Sequence, residues 1–487
     1  MILFLLGLLI LTVGYFSYSK VIERIVGVDD SATPSKTLYD GVDYIELPNW
    51  KNKLIQLLNI AGVGPVIGVI LGIKFGAICF IIIPIGNIFA GAVHDYLGAM
   101  ISIKNRGENL PWIIRDNLGR YYSAFFNVFM IFLLILVVAV FINIPANLIV
   151  KNFDFFKEYS NSFFIVVCLI FAYYIVATLF PINKIIGKIY PYIGAILIIG
   201  TLVIFGALMF NCLENPSLLS ESAGFLANKW TTENNHPIIP LLFVTIACGI
   251  ISGFHATQSP IVTRTIKSQK QCRQTFYAMM VLEGFIAMIW AGAGLAIYNL
   301  VPEYMSEAPT TVLINLNKYF LGDIVGLVTI LAVIILAITS GDTALRSLRL
   351  SLASMLKMPQ VKISKRLILI APLIIATSVI LYWSNVDVKS FNNLWNYFAW
   401  GNQVLAASTL SAASVWLFKQ GKNGYVALIP ALFMTFIVLS YILWVSPAIG
   451  QPVGFGLSLN TSYIIAGVLT FFLGVILLRT KKSKSLN

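Results

Sequence analysis

The chain has 487 residues, of which 58% are hydrophobic and only 11% are charged, and its formal net charge is +13. Soluble globular proteins have roughly 45–50% apolar and about 25% charged residues, so this composition excludes a soluble enzyme and a disordered chain. The five cysteines form no CxxC pair, and their odd number argues against a disulfide framework. The positive charge is spread over many short connections instead of forming a basic domain. We therefore expect a polytopic membrane protein without a nucleic-acid partner.

Apolar stretches that are long enough to cross a bilayer recur along the whole chain. A hydrocarbon core near 30 Å needs about 17–25 residues of helix, and we predict an all-α fold with about 13 transmembrane helices. The predicted spans are 1–18, 54–72, 75–103, 122–150, 162–180, 190–211, 237–259, 274–301, 321–345, 367–383, 394–418, 425–445 and 459–478. The first stretch lacks the basic start and the small-residue cleavage site of a signal peptide, so it is predicted to remain as a helix.

Lysine and arginine are distributed unevenly between alternate connections. Of the 33 basic residues, 27 fall in one set of connections and in the C-terminal tail. The other set contains six, all of them lysines: Lys74, Lys151, Lys157, Lys229, Lys318 and Lys389. Because basic residues concentrate in cytoplasmic connections, we predict an N-terminus outside the cell, a C-terminus in the cytoplasm and a location in the plasma or inner membrane.

Two of the predicted spans are interrupted by glycine and closed by proline, at 61–65 (AGVGP) and at 251–260 (ISGFHATQSP). Glycine permits non-helical backbone, and proline suits the first turn of a new helix; Ser259 is a natural N-cap for a helix that starts at Pro260. Unwound backbone at membrane depth is tolerated where it lines a cavity or is buried in protein, so we expect a substrate site at the breaks. The residues of the breaks that are predicted to bind substrate are Gly62, Gly64, Pro65, Gly253, His255, Thr257, Gln258 and Ser259. Asn402 and Gln403 on the eleventh span are also candidates, with the alternative that they hold helices together.

The spacing of the two breaks predicts an internal repeat. Pro65 and Pro260 are 195 positions apart, and a similar offset relates the spans that follow them. Five helices per repeat, an odd number, invert the second repeat relative to the first. The predicted organisation is an extra N-terminal helix at 1–18, a polar loop at 19–53, a first repeat at 54–211, an inverted second repeat at 237–418, two further helices at 425–478 and a basic cytoplasmic tail at 479–487.

Few ionisable side chains lie inside the predicted spans. A charge at the bilayer centre costs at least about 2.5–3.5 kcal/mol, so such residues normally face a cavity or a partner. The candidates for coupling to an ion are His94, Asp95, Glu283, Ser340, Asp342 and Thr343. A sodium site is a rival prediction, because hard cations prefer oxygen ligands. Its ligands would come from Ala61, Val63, Ser340, Asp342 and Thr343.

Most of these candidates also have a purely structural interpretation. Glu283 could be a protonated acid bonded to a neighbouring helix, and Asp342 could pair with Arg346 one turn later. His94 could be a buried hydrogen-bonding group, since adjacent residues are about 100° apart on a helix and His94 and Asp95 cannot both point at one partner. For His255 the functional interpretation is favoured, because this residue lies within the second break.

Several of these motifs resemble the carbon starvation protein A family. The resemblance rests on FAGAVHDY at 89–96, IAGVGP at 60–65, SGFHATQSP at 252–260, Asp342-Thr343-Ala344 followed by Arg346, and WGNQ at 400–403. It runs from about residue 54 to residue 420. Many members have Gln-Asp where this chain has His94-Asp95, and many carry extra helices near the C-terminus. The resemblance implies a LeuT-like fold and the uptake of peptides, or of pyruvate with protons, during carbon starvation.

The breaks and the buried ionisable residues predict a secondary active symporter for a small carboxylate-bearing nutrient. The resemblance implies that this nutrient is pyruvate or a short peptide, imported during carbon limitation and coupled to protons. The N-terminal ends of the half-helices at Pro65 and Pro260 would hold the substrate carboxylate. No cofactor is predicted besides the coupling ion, H⁺ or Na⁺, and no partner besides a small-molecule substrate and the bilayer. The alternatives are a nutrient sensor without net transport and a sodium-coupled amino-acid symporter. An enzyme is not predicted, because the sequence offers no nucleophile–base or metal motif.

Overall fold

The computed structural model describes residues 1–157, 161–179, 186–219, 236–360, 362–386 and 388–482, and every regular element in these ranges is helical. The long helices are Ile2–Val26, Cys79–Lys104, Arg120–Asn152, Ser162–Leu179, Ile186–Glu214, Gln269–Leu300, Pro309–Met355, Ile363–Ser384, Val388–Lys419, Tyr425–Trp444 and Leu459–Lys482. Eight helices in the described part are long and apolar enough to cross a membrane, or up to nine with the bent second span. The all-α membrane fold is confirmed, and the count of thirteen spans stays a prediction.

Some predicted boundaries differ from the structure. The first helix continues to Val26 instead of ending at residue 18, so part of the predicted polar loop is helical. The helix Pro309–Met355 contains the whole predicted ninth span and is interrupted by a kink at Gly322, where φ is 71°. Glycine adopts this left-handed conformation without steric cost. Phe180, Lys229 and residues 483–487 lie outside the described residues.

The second span is broken where the sequence predicts. The helix Asn49–Ile60 ends before Ala61, a π-helical turn follows at Gly64–Gly68, and the two arms are bent by 53°. A β-carbon on Gly64 would lie 2.5 Å from the sulfur of Cys248, so only glycine lets this turn pack against the seventh span. The first break thus lies against the second.

The seventh span is also broken, but at a different residue from the one predicted. Ile251 and Ser252 are extended, and the half-helix that follows is Gly253–Thr263, with Pro260 inside it. The prediction that Ser259 caps a helix starting at Pro260 is therefore wrong, and Ser252 occupies the N-cap position. An internal proline is tolerated in membrane helices, because neighbouring groups satisfy the carbonyl that it leaves unpaired.

Connections that are predicted to share one side of the membrane contact one another. The loop 27–48 covers one end of the helix bundle, where the Leu47 N–H donates to the Thr265 carbonyl at 3.0 Å. The Lys104 ammonium donates to the Gly27 carbonyl at 2.9 Å. All of these residues belong to the connections that the basic residues assign to the cytoplasm. These contacts place the three connections at one end of the bundle, and the assignment of that end to the cytoplasm stays a prediction.

Asp43 anchors this loop to the helix bundle. Its carboxylate lies 3.3 Å from Nη1 of Arg346, whose side chain is buried. Burial alone would raise the pKa of Asp43, but the attraction of Arg346, Arg349, Arg264 and Arg366 outweighs it and holds the pKa below its usual value of 3.8. The loop is thus held closed over the bundle by an ionised carboxylate.

Asp43→Asn is expected to loosen the loop 27–48 at neutral pH, because the buried guanidinium of Arg346 then loses the carboxylate that the loop contributes. Breaking a buried ion pair costs about 3–5 kcal/mol, and we expect about 2 kcal/mol here because the carboxylate keeps some contact with solvent. The measurements are thermal unfolding in detergent and the rate of tryptic cleavage after the exposed Lys36.

The pH dependence of this effect has a definite sign. Because the folded-state pKa of Asp43 is lowered, its stabilisation is present above the unfolded-state pKa and is lost as the pH falls through the folded-state pKa. The difference in thermal stability between Asp43→Asn and wild type should therefore shrink below about pH 4. Asp30→Asn removes only an exposed ion pair with Lys270 and should be neutral. Equal cleavage rates for Asp43→Asn and wild type would contradict this anchoring role.

Candidate functional site

A buried pair of titratable side chains joins the two broken regions of the molecule. Asp95 lies on the helix Ala92–Lys104, and its Oδ2 is 3.0 Å from Nδ1 of His255 on the half-helix Gly253–Thr263. Neither side chain is more than 1% exposed. The sequence predicted both residues separately as site candidates, and the fold places them in direct contact.

Glu283 completes the group on the other side of the imidazole. Its Oε2 lies 3.7 Å from Nε2 of His255, and the ring also meets the backbone of Ile60 at the end of the first half-helix. The imidazole is thus located between two carboxylates from different spans, next to the first break. Such a group can hold a variable number of protons, since an uncompensated charge is costly at this depth.

His94 takes a different position from His255. Its Nδ1 lies 2.8 Å from the other carboxylate oxygen of Asp95, and its Nε2 has no hydrogen-bond partner among the described residues. Adjacent residues on a helix point in directions about 100° apart, so His94 and Asp95 are not expected to contact the same partner. In agreement, Asp95 contacts the imidazole of His255, and His94 contacts the carboxylate of Asp95 instead. His94 therefore supports Asp95 from the side.

The oxygens of the predicted sodium site are engaged in separate contacts. Ser340 Oγ donates to the Leu58 carbonyl at 3.1 Å, which places it at the first break. Asp342 instead accepts a hydrogen bond of 2.6 Å from the Tyr173 hydroxyl on the fifth span. Thr343 donates to the Ser340 carbonyl of its own helix at 3.0 Å.

The sodium site is also predicted to use the backbone carbonyls of Ala61 and Val63. The Val63 carbonyl accepts hydrogen bonds from the N–H groups of the following π-helical turn, and Ala61 precedes it in the break. Ser340 is thus the predicted side-chain ligand that the fold brings to the first break. Within the described ranges, no group of three or more His, Cys, Asp and Glu residues has the arrangement of a metal site.

The eleventh span holds the broken seventh span in place. Asn402 Oδ1 accepts a hydrogen bond of 2.6 Å from the Phe254 N–H, and its Nδ2 donates to Ser252 Oγ at 2.9 Å. Gln403 donates from Nε2 to the Phe243 carbonyl. In this structure, these contacts give Asn402 and Gln403 a structural role across both pieces of the seventh span.

The N-terminus of the second half-helix is consequently occupied by the protein itself. The expectation that a half-helix starting at Pro260 offers free N–H groups to a carboxylate is wrong, since the helix starts at Gly253 and Asn402 accepts from its second residue. Ser259 donates to the His255 carbonyl at 3.0 Å within the same helix. Of the polar side chains on this half-helix, His255 contacts Asp95 and Glu283. We call these three residues the central group.

Thr257 and Gln258 connect the same half-helix to the ninth span. Gln258 Nε2 donates to Thr257 Oγ1 at 3.0 Å and to Ser347 Oγ at 3.1 Å. The Thr257 hydroxyl donates to the Phe254 carbonyl at 2.7 Å. The oxygen of the Gln258 amide has no partner among the described residues, so one acceptor remains open beside these contacts.

Two buried amides near the first break were missed by sequence reasoning. Gln56 and Asn59 lie on the helix Asn49–Ile60, are fully buried, and none of their four side-chain N and O atoms has a hydrogen-bond partner among the described residues. They are three positions apart and therefore share one side of the helix. This helix packs against the helices that carry His255 and Glu283. The signal was present in the sequence as two amides at helical spacing inside an apolar span.

A cavity of about 650 Å³, which we call the vestibule, opens on the face opposite the loop 27–48. Its wall includes Lys74, Lys151, His236, Met305, Asn385 and Gly450. These residues represent all six connections that are predicted to be extracellular. The vestibule reaches inward to Ile67, Thr245 and Ala399, close in sequence to both breaks and to Asn402. The vestibule therefore extends inward to the π-helical turn of the first break.

Spans that are broken at membrane depth occur where a substrate is held between half-helices. This architecture is that of multi-pass membrane transporters. The chain belongs to the carbon starvation protein CstA family, whose model matches residues 1–156, 152–315 and 311–441. The family resemblance that the motifs suggested is confirmed.

The relatives agree with this assignment. An uncharacterized membrane protein of Haemophilus influenzae is 37% identical over 63% of this chain and 94% of its own length. Peptide transporter CstA of Mycobacterium tuberculosis is 24% identical over 57% of this chain and 44% of its own length. The pyruvate/proton symporter BtsT of Escherichia coli is 24% identical over 57% of this chain and 46% of its own length. The match with this chain thus spans less than half the length of these two transporters.

Solved structures of transporters share the fold. MhsT in complex with L-phenylalanine aligns with a TM-score of 0.57 and 11% identity, covering 90% of this chain and 99% of MhsT. The manganese transporter of Eremococcus coleocola aligns with 0.55 and 14% identity, over 92% and 98% of the two chains. A Na⁺-coupled sialic acid symporter aligns with 0.53 and 13% identity, over 96% of each chain. The predicted LeuT-like fold is confirmed.

Proposed function

We propose that this protein is a proton-coupled symporter that imports a small carboxylate-bearing nutrient, such as pyruvate or a short peptide, during carbon limitation. The observation that carries the proposal is the buried contact of His255 with Asp95 and Glu283. Relatives named as a peptide transporter and as a pyruvate/proton symporter support the substrate class. The predicted orientation supports the direction of import, from the vestibule to the side closed by the loop 27–48.

The central group can link proton binding to anion binding. When one carboxyl is protonated and the imidazole is charged, the group is neutral, and a substrate carboxylate then adds an unfavourable charge at membrane depth. A further proton on the group balances this charge, and by linkage each of the two ligands increases the affinity for the other. Release of the substrate on the cytoplasmic side then favours release of the proton.

The orphaned amides of Gln56 and Asn59 extend this site. A buried amide without a partner costs about 1–3 kcal/mol per polar group, and a carboxylate or peptide group can supply the missing donors and acceptors. Both residues lie on the helix that ends at Ile60, whose backbone meets His255. We assign these amides to the polar part of the substrate.

The experiment that tests the function is uptake into liposomes that contain only this protein. Labelled pyruvate and a labelled dipeptide are offered separately, first under an imposed proton gradient and then under a sodium gradient. We expect the proton gradient to drive accumulation of one of the two compounds, and His255→Ala to abolish it. Accumulation driven only by sodium would overturn proton coupling. No uptake of either compound, with orientation confirmed, would overturn both substrates and favour a nutrient sensor without net transport.

Sodium coupling is the second candidate, and one contact favours it. Ser340 Oγ lies at the first break, where a β-carbon on Gly62 would be 3.2 Å away from it. A hydroxyl beside the carbonyls of a broken helix is suitable for a hard cation. Ser340→Ala should abolish uptake if sodium binds there, whereas proton-driven uptake should survive this substitution. A sodium site at Ser340 would equally fit the alternative function, a sodium-coupled amino-acid symporter.

A further inference from the structure

The vestibule is lined by two lysines, although the predicted extracellular face has few basic residues. The six predicted extracellular connections contain six lysines and no arginine, yet two of these lysines, Lys74 and Lys151, line one cavity together with His236. Among the described residues that line the vestibule, Glu307 is the only carboxylate. The orientation of the protein does not explain why Lys74 and Lys151 line the same cavity. The positive-inside rule accounts only for the small number of basic residues in the outer connections.

The Lys74 ammonium is held in a defined position, whereas Lys151 is exposed and makes one long contact. Lys74 is only 4% exposed; its Nζ donates to the Met305 carbonyl at 2.6 Å and lies 5.6 Å from the ring centroid of Tyr298. Lys151 donates to the Thr310 hydroxyl at 3.4 Å. A lysine almost never loses as much contact with water as Lys74 does without compensating partners. An ammonium has three donors, so Lys151 can keep its contact with Thr310 and still donate to an anion, and the charge of Lys74 adds to the attraction.

The remaining wall suits a small carboxylate. Asn392 and Asn396 line the vestibule and provide amide donors for carboxylate oxygens. The amides of Asn143 and Asn147 also belong to the wall but already donate, to Ser384 Oγ and to Asn143 respectively. Trp395 provides an apolar surface for the rest of the molecule. The volume of about 650 Å³ lies within the range of roughly 300–1,000 Å³ that is typical of small-molecule sites.

We propose that the vestibule is a separate binding site for small organic anions, in which Lys74 and Lys151 attract and hold the carboxylate. Its role as the entry site of the transport path rests on the proposed function, whereas anion binding itself does not. A charge-lined cleft with low-dielectric walls concentrates ions of opposite sign and accelerates their arrival. The site supplies the central group around His255 with a carboxylate that has already been selected for its charge.

The electrostatic part is tested by thiol labelling, which requires no transport. Asn392, an exposed residue of the vestibule wall, is replaced by cysteine in a Cys168→Ser background, since the other four cysteines are buried. The rates of reaction with an anionic and with a cationic methanethiosulfonate are then compared. We expect the ratio of anionic to cationic rates to fall by about tenfold in Lys151→Gln and in Lys74→Met at low salt. High salt should reduce this difference.

The matched control is Lys318→Gln. Lys318 is also a lysine of the predicted extracellular face, but it is 69% exposed, pairs with Asp323 and does not line the vestibule. This variant should leave the ratio of labelling rates unchanged. If Lys74→Met fails to fold, Lys151→Gln alone decides, because its side chain is less buried. Equal ratios in wild type and Lys151→Gln would overturn the proposal.

Ligand protection tests the binding part. Pyruvate should slow the labelling of the thiol in Asn392→Cys at least twofold, whereas its uncharged methyl ester should not, and Lys151→Gln should remove the protection. Equal protection by the acid and the ester, or none by either, would overturn a carboxylate site. If protection is found but liposomes show no uptake, the anion site stands and the transport function fails, so the two failures can be distinguished.

Discussion

Asp95→Asn is expected to abolish concentrative uptake while leaving exchange of substrate between the two sides of the membrane. Asparagine keeps the shape of the side chain and one hydrogen bond to a histidine, but it cannot change charge. The contact with His255 Nδ1 at 3.0 Å would therefore persist without a titratable carboxylate. The accumulation ratio should fall from as much as about tenfold per pH unit of gradient, the limit for one proton per substrate, to one.

Counterflow in liposomes is the measurement that separates the two outcomes. Vesicles preloaded with unlabelled substrate should still take up label through the Asp95→Asn variant, because binding and conformational exchange remain. His94→Gln is the matched control. His94 touches the same carboxylate at 2.8 Å without reaching His255, and glutamine can donate in its place. This control should keep most of the accumulation. Undiminished accumulation by Asp95→Asn would remove Asp95 from the coupling mechanism.

Gly253→Ala is expected to disrupt the packing of the eleventh span on the broken seventh span. The added β-carbon would lie closer to the Asn402 carbonyl oxygen and to the Ala406 backbone nitrogen than real β-carbons ever approach such atoms. Because both obstacles are backbone atoms of one helix, neither can rotate away. Overpacking typically costs about 1–3 kcal/mol, and we expect at least the upper value here.

The yield of monodisperse protein and the midpoint of thermal unfolding in detergent measure this effect. Gly467→Ala is the control, since it lies in another membrane helix and a β-carbon there meets nothing within 4 Å. That variant should be neutral or slightly stabilised, because alanine is the better helix former. Equal behaviour of the two variants would show that the close approach at Gly253 is not needed. The position matters for function, because this approach lets Asn402 accept the Phe254 N–H.

The sequence by itself determined the class of the protein and much of its outline. The length of the apolar stretches, the asymmetry of 27 basic residues against six and the glycine–proline interruption at 61–65 are properties of short segments. Each of them therefore has its physical consequence, a span, a preferred side or a break, wherever the segment lies in the fold, and the side is the one of the three that stays a prediction. The same holds for Asp95, Glu283 and His255, since a titratable residue inside an apolar span must find a cavity or a partner.

The tertiary structure alone decided which partners these residues have. Asp95 meets His255 across 160 positions of the chain, and Asp342 meets Tyr173 across 169. The start of the second half-helix at Gly253, not at Pro260, likewise depends on the eleventh span, which supplies the accepting oxygen of Asn402. A hydrogen bond requires both groups, and a local pattern contains only one of them. The sequence thus predicts that a buried polar group needs a partner, and the packing of distant helices decides which partner it finds.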